Sequence, residues 1–422
     1  VKEGPLFYGY WILGAASLIC MITVLASLNS FSVFVKPLES ALGWGRAPIM
    51  AGFTIMLALL GMTSPFAGRL LDRYGARKVM TSGILIMIAG LIVLGRMTNL
   101  THFYLGCALL GIGSTATGPV GSSYLVSHWF KRRRGMAIGI LSGGMSLSGI
   151  LLVPAMAVYV LPALGWRSTY FLIAVLCAAI LIPLLLFVVK TRPADIGLLP
   201  DGIEGSEDSN DAENGGSISI RGVSPKMALA TSAFWFLALS LVLNHTHLGV
   251  LQSVFPHLSD LGFPIGTVAS VTGLTSGAIS VSMFLFGWLC DRIAPKYAST
   301  IGLAVVACGI VLLLYIGPSS SLPSLFFYAV VFGLGIGSWM PTMSMLTSRT
   351  FGMAFYGSIF GMMSFFQCAG GATGPLIAGY SFDAHHSYQW GFIAILLCVV
   401  AAIPLVLAVP KHSAIPEREI GK

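Results

Sequence analysis

Apolar residues along this chain do not alternate with polar ones; they gather into long unbroken runs, and the short stretches between the runs carry nearly all of the charge. Runs near 9 to 36, 47 to 70, 78 to 97, 102 to 128, 136 to 161 and 168 to 190 come first. Each reaches the roughly 20 residues that a helix needs to cross a bilayer. A polar stretch from about Thr191 to Lys226 follows, where Asp201, Glu204, Glu207, Asp208, Asp211 and Glu213 stand among Gly, Ser and Asn, a composition that cannot bury a core. Further runs occupy 229 to 258, 266 to 290, 298 to 317, 322 to 347, 355 to 382 and 388 to 410. The strict two-residue alternation of a transmembrane barrel is absent. The pattern predicts an all-α integral membrane protein with twelve transmembrane helices in two six-helix bundles, residues 1–190 and 227–422, joined by an acidic, Gly/Ser-rich linker at 191–226.

Composition agrees and narrows the choice. Of 422 residues, 56% are hydrophobic and 9% charged, with a mean hydropathy of +0.88, against about a quarter charged in a soluble domain. A soluble enzyme is excluded. Fifty glycines and 18 methionines suit close helix packing and adaptable apolar surfaces. The net charge of +8 would suit nucleic acid, but the basic residues sit between the apolar runs, which argues against that partner. Their placement reports topology instead. Lys36, Arg46, Arg96 and Arg167 fall on odd-numbered loops, and the other 19 of the 23 Lys and Arg fall on the termini, the linker and the even-numbered loops. Both termini and the linker are therefore expected in the cytoplasm. The first run is too long for a signal-peptide core and lacks a small-residue cleavage site, so it is expected to remain as the first helix. Cys20, Cys107, Cys177, Cys290, Cys308, Cys368 and Cys398 are scattered singly through apolar segments; neither disulfides nor a metal site is expected. No nucleotide-binding loop or hydrolytic triad is recognisable, and no cofactor or enzymatic activity is expected.

The two halves resemble each other. Leu-Gly-Ile-Gly-Ser occurs at 110–114 and again at 334–338, and Asp72-Arg73 recurs as Asp291-Arg292, at nearly equal offsets of 224 and 219. Between runs two and three stands Gly68-Arg-Leu-Leu-Asp72-Arg73-Tyr-Gly75-Ala-Arg77-Lys78, with a shorter copy at Gly287-Trp-Leu-Cys-Asp291-Arg292. This loop resembles the signature of the major facilitator superfamily. The resemblance implies two six-helix bundles that rock about a central site, with Asp72, Arg73, Arg77, Asp291 and Arg292 in a charged cytoplasmic gate. A narrower resemblance follows from Trp129-Phe-Lys-Arg132-Arg133-Arg-Gly-Met-Ala-Ile-Gly139, which is similar to the second signature of the monocarboxylate transporter family and adds Arg132 and Arg133 to the gate. Arg192-Pro-Ala-Asp-Ile-Gly-Leu-Leu-Pro200 is similar to the corresponding stretch in bacterial relatives and in oxalate/formate antiporters. The chain departs from those families where they carry charge in the membrane: Asn29, Ile279 and Met283 stand at the places of the monocarboxylate transporters' lysine and Asp/Arg pair. Helices eight and eleven, across 271 to 290 and 355 to 382, also lack the antiporters' basic residues.

An anion at the midplane must then be met by uncharged donors or by histidine, since leaving it unpaired costs several kcal/mol. The candidates for substrate binding are Asn29, Tyr124, Asn244, His245, Gln252, Trp339 and Gln367. Helical spacing puts His245 and Gln252 on one face. His245 and His247 are the intramembrane groups able to carry a coupled proton, although either one alone is as readily a structural group bonded to a backbone carbonyl. Lys36 shares a face with Asn29 nearer the outer end, where anchoring to lipid headgroups is its plainer role. The expected function is secondary active transport of a small organic anion, a monocarboxylate or a hydroxy or aromatic acid, with protons as coupling partner. The expected setting is a monomer among membrane lipids in a bacterial inner membrane. The alternative is a proton-coupled exporter of neutral or cationic apolar compounds; a receptor would need a signalling domain that the 36-residue linker is too short to form.

Overall fold

Helix formation begins at Tyr8 because nothing in the apolar runs supplies a competing turn, and most helices stop where glycine, proline or a capping side chain intervenes, α11 at the left-handed His386. The computed structural model describes residues 7–130, 134–191, 193, 197–198, 223–352 and 355–410. Helix α1 (Tyr8–Leu42) ends at Gly43, whose φ of 67° lets the chain reverse. Helix α2 (Arg46–Tyr74) ends at Gly75, and α3 (Ala76–Arg96) leads to α4 (Leu100–Trp129), which opens with the Asn99 side chain accepting the His102 N–H at 2.9 Å. The long run Met136–Val188 is helical except at Gly165, where φ 73° and ψ 166° divide it into α5 (136–164) and α6 (166–188). Helices α7 (Ser232–Asp260), α8 (Ile265–Arg292), α9 (Pro295–Tyr315), α10 (Leu322–Phe351), α11 (Tyr356–His385) and α12 (Gln389–Leu407) follow.

Among the described residues ten segments are long and apolar enough to cross a membrane; Met136–Val188 counts there as one, and α11 lies outside the ten. Helix α4 breaks at Gly118-Pro119, whereas α7 at Thr246-His247 and α10 at Ser338 only tighten and keep helical dihedrals. Five-residue π turns widen α1 at Leu25–Asn29 and α5 at Ser148–Leu152.

The repeated Gly-x-Gly strings sit in α4 and α10 and do the same work in each half. A Cβ on Gly111 would strike the Met56 backbone of α2, and one on Gly113 the Gly83 carbonyl of α3. In the second half Gly335 presses on Val306 of α9 and Gly337 on the Ile279 carbonyl of α8. The element is shared and the register is exchanged.

The halves join along three seams. Helices α2 and α11 meet where Gly379 covers the Arg46-Ala47 backbone, where Thr54 Oγ1 donates to the Ala372 carbonyl at 2.5 Å, and where Gly61 admits the Cys368 side chain. Helices α5 and α8 meet at Gly149 against Ser276 and at Gly273 against the Ile150 carbonyl. Helix α7 reaches α1 through Gln252, whose Nε2 donates to the Leu28 carbonyl at 3.3 Å. That carbonyl belongs to the π turn of α1, where helical hydrogen bonding is already displaced.

Candidate functional site

Two clusters of polar groups stand out, one between the halves at an end of the molecule and one at mid-depth, built by α7 and α10 of the second half. At the end where α1 turns into α2, Arg46 is buried at 2% exposure. Its guanidinium donates to Glu39 through Nε at 3.0 Å and Nη2 at 2.8 Å, and through Nη1 to Asp260 at 2.5 Å and to the Tyr388 hydroxyl at 2.9 Å. The ring of Phe382 lies 3.6 Å under it. Lys36 pairs with the same Asp260 at 2.9 Å. Asp383, from the last turn of α11, accepts the backbone N–H groups of Arg46 at 2.7 Å and Ala47 at 2.8 Å, so a carboxylate of one half caps the first helical turn of the other. Burial pushes the Tyr388 phenol up, which keeps it a neutral partner of the guanidinium. Every ion pair and every inter-half hydrogen bond among the described residues lies between this cluster and the level of Gln252 and Ala372.

Beyond that level no hydrogen bond or ion pair joins the halves among the described residues. Gly68 of α2, Gly139 and Gly143 of α5, Gly287 of α8 and Gly361 of α11 have open space where a Cβ would stand. Met62 and Phe66 of α2 and Phe284, Trp288 and Phe365 of α8 and α11 are exposed. The signature loops stand at this open end. Arg73 lies over the Tyr74 ring at 5.2 Å and Arg292 over Trp288 at 4.4 Å. The Arg77 backbone N–H reaches Thr191 Oγ1 at 3.5 Å, and Asp291 is exposed. The Asp72 side chain, Arg132 and Arg133 lie outside the described residues. Among the described residues the gate residues of the two copies form no ion pair with each other, and the ion pairs lie at the opposite end.

At mid-depth, α7 supplies the second cluster. His245 and His247 are buried, at 2% and 1% exposure, with ring centroids 5.4 Å apart. His245 Nδ1 lies 3.0 Å from the Leu241 carbonyl, and His247 Nδ1 lies 2.6 Å from the Asn244 carbonyl. A carbonyl can only accept, so Nδ1 carries the proton on both rings and His245 Nε2 keeps a lone pair, which is buried without a partner. The His245 ring stands edge-on to Trp339 of α10 at 4.9 Å. The Asn244 Oδ1 and Gln252 Oε1 atoms are also buried without a partner.

The structure thus brings Asn244, His245, His247 and Trp339 together, and it separates other candidates from them. His245 and Gln252 do not share a face in the expected way. The helix at Thr246-His247, where His247 N–H bonds to the Asn244 carbonyl, tightens and changes phase; His245 then faces α10 and Gln252 faces α1. Asn29 Nδ2 donates to Ser148 Oγ at 2.6 Å, tying the two π turns of α1 and α5 beside Gly149 and Ser276. The Tyr124 hydroxyl donates to the Leu71 carbonyl at 3.2 Å and its ring packs on His128 at 4.3 Å, which places it near the open end of α4 and away from the histidines. Gln367 is half-buried on α11, next to the Cys368 that enters the α2 seam. Sequence reasoning missed Glu39, Asp260, Asp383 and Tyr388, and placed Lys36 at lipid headgroups. A usable signal was present: three carboxylates end apolar runs on the side of the molecule where bases are scarce, beside Lys36 and Arg46.

Comparison with known proteins adds family and fold. The family model described as Major Facilitator Superfamily matches residues 16–375 and 237–422. The chain is 26% identical over 411 residues, 92% of each chain, to the "Uncharacterized MFS-type transporter YcxA" of Bacillus subtilis. It is 25% identical over 370 residues, 85% of this chain and 77% of the relative, to "Monocarboxylate transporter 11" of Mus musculus. Among solved structures, a bacterial homologue of the human lysosomal transporter Spinster, crystallised in an inward-facing and occupied conformation, superposes with a TM-score of 0.74 at 14% identity. That match covers 96% of this chain and 97% of the other.

Proposed function

This chain belongs to the Major Facilitator Superfamily, and on that premise we propose that it is a secondary active transporter that moves a small organic anion, a monocarboxylate or a hydroxy or aromatic acid, by alternating access coupled to protons. In this reading the chain crosses the membrane twelve times, as bundles 1–190 and 227–422 around the linker 191–226. Both termini lie in the cytoplasm of a bacterial cell, and the protein acts as a monomer in the inner membrane. The arginine cluster then closes the outer side, and the described state opens inward.

The observation that carries the reading is the buried His245 with an unpaired Nε2 between α7 and α10. A neutral imidazole held through Nδ1–H offers only a lone pair at Nε2, which a carboxylate repels; a proton taken up there makes Nε2–H a charge-assisted donor. Protonation and anion binding thereby become one event, with Asn244 and Trp339 beside it and Gln367 on the facing α11. Similarity to a protein named as a monocarboxylate transporter supports the substrate class.

In liposomes, labelled monocarboxylate uptake should be faster when the outside is acid, and His245→Ala should remove that dependence. Uptake indifferent to both the gradient and the substitution overturns the coupling. The exporter reading is favoured by the uncharged mid-depth cluster. It predicts instead that a strain overproducing the protein gains resistance to apolar cations and that monocarboxylates leave uptake and stability unchanged.

A further inference from the structure

The cluster at the closed end divides its charges between the halves. On that side of the molecule the Lys and Arg residues, Lys36, Arg46, Arg96 and Arg167, all belong to the first half, which adds one acid, Glu39. The second half brings Asp260 and Asp383 there and neither lysine nor arginine. Closure therefore seats carboxylates of one half on donors of the other. Asp260 lies across two cations, with Oδ1 on Lys36 Nζ at 2.9 Å and Oδ2 on Arg46 Nη1 at 2.5 Å. Asp383 takes the N–H groups of Arg46 and Ala47 at the start of α2.

Parting of the halves at that end empties these seats and leaves the donors on the first half. Arg46 keeps Glu39, whose Oε2 accepts from both Nε and Nη2. Its Nη1 gives up Asp260 and the Tyr388 hydroxyl together. Lys36 gives up its one ion-pair partner among the described residues. Two cations then face a single carboxylate, and a guanidinium stripped of its partners is costly to leave bare. The emptied seat has the shape of a carboxylate, since two positive donors are placed to take its two oxygens in charge-assisted bonds. Water reaches the Lys36–Asp260 pair even in the closed arrangement, at 34% and 29% side-chain exposure. An anion arriving from solution at this end therefore meets Lys36 first.

We propose that Lys36 and Arg46 form a capture site for an organic monocarboxylate at the outer mouth, where the incoming anion takes the seat of Asp260 and so holds the outer end open. The proposal rests on the anion reading above and adds the place at which the anion is first bound. Exchange of one carboxylate for another keeps both cations paired. The ligand thus favours the open end, because the closed end has already filled the seat with Asp260. An uncharged or cationic compound cannot make this exchange. Glu39 lies in the same half as Arg46 and stays with it in either arrangement, so the guanidinium keeps its place when Asp260 leaves.

The test is the distance between spin labels on Leu42 and Leu261 of the purified full chain, titrated with sodium benzoate against benzamide, with sodium chloride holding the ionic strength constant. The seat reads the carboxylate and not the body it is attached to, so benzoate serves as the probe. A saturable gain of the longer distance with benzoate and none with benzamide is expected. Two variants separate capture from a structural role, because both break the same ion pair. Lys36→Met removes a cation of the seat and should raise the half-saturating benzoate concentration about tenfold or more; Asp260→Asn removes the resident competitor and should lower it by about the same factor. A role limited to holding the halves together would move both variants in one direction. That result overturns the proposal, as does an equal response to benzoate and benzamide, no response to either, or a benzoate response that neither variant alters. Lys36→Gln serves the same purpose if Lys36→Met does not fold. Neither uptake nor a gradient enters the measurement. Acid-driven uptake beside an outer end indifferent to benzoate overturns capture alone, and a benzoate response beside uptake indifferent to pH and to His245→Ala overturns the coupling alone.

Discussion

The two ends of the molecule carry very unequal numbers of charged groups and use them in opposite ways. At the end closed by α1, α2, α7 and α11, Arg46 is buried and bonded to Glu39, Asp260 and Tyr388, while Asp383 caps the first turn of α2. At the other end Arg73 and Arg292 rest on aromatic rings of their own helices and Asp291 faces solvent. The difference teaches that a charged loop motif reports which residues can latch, whereas burial decides which ones do. A guanidinium removed from water is held by everything around it, and a solvated one contributes little.

That contrast can be broken most directly at Arg46. Arg46→Met leaves Asp260 and Glu39 without their buried partner, a loss of about 3 kcal/mol or more from the closed end, so the described state should give way to one open at that end. Spin labels placed on Leu42 and Leu261 should report a longer distance; an unchanged distribution means that the cluster does not hold the halves. A smaller effect is expected from Gln252→Leu, which removes the mid-depth bond to the Leu28 carbonyl and costs about 1 kcal/mol. The same labels should report a partial shift, and no shift would make Gln252 a packing residue only. The smallest effects sharpen the comparison. Lys36→Met breaks a pair whose side chains are 34% and 29% exposed and should change thermal stability by less than about 1 kcal/mol, an effect that shrinks in high salt. Asp291→Asn, at the open end, should change it by no more than about 0.5 kcal/mol. A larger loss would reveal a partner for Asp291 in the described state.

The two halves differ as instructively as the two ends. Both place a Gly-x-Gly string in the helix that packs against its second and third neighbours, yet the glycine that touches each neighbour is exchanged. The tightened turn of α10 falls at Ser338 itself, whereas α4 breaks four residues after the equivalent Ser114.

The sequence by itself determined the helices, their order and the major facilitator family, because run length, charge placement and a loop motif are local properties that survive without a partner. The family match and the structural superposition agree with that reading. It also showed that the interiors of the apolar runs hold no carboxylate, and it singled out His245 and His247, which the structure buries side by side. Tertiary structure decided what helical spacing could not. Two tight residues in α7 turn His245 toward Trp339 and Gln252 toward Leu28, and residues as remote in sequence as Arg46 and Asp383 meet only because small residues let α2 and α11 close on each other. Proximity between helices is set by how two whole surfaces pack, and no window along one chain segment contains that information.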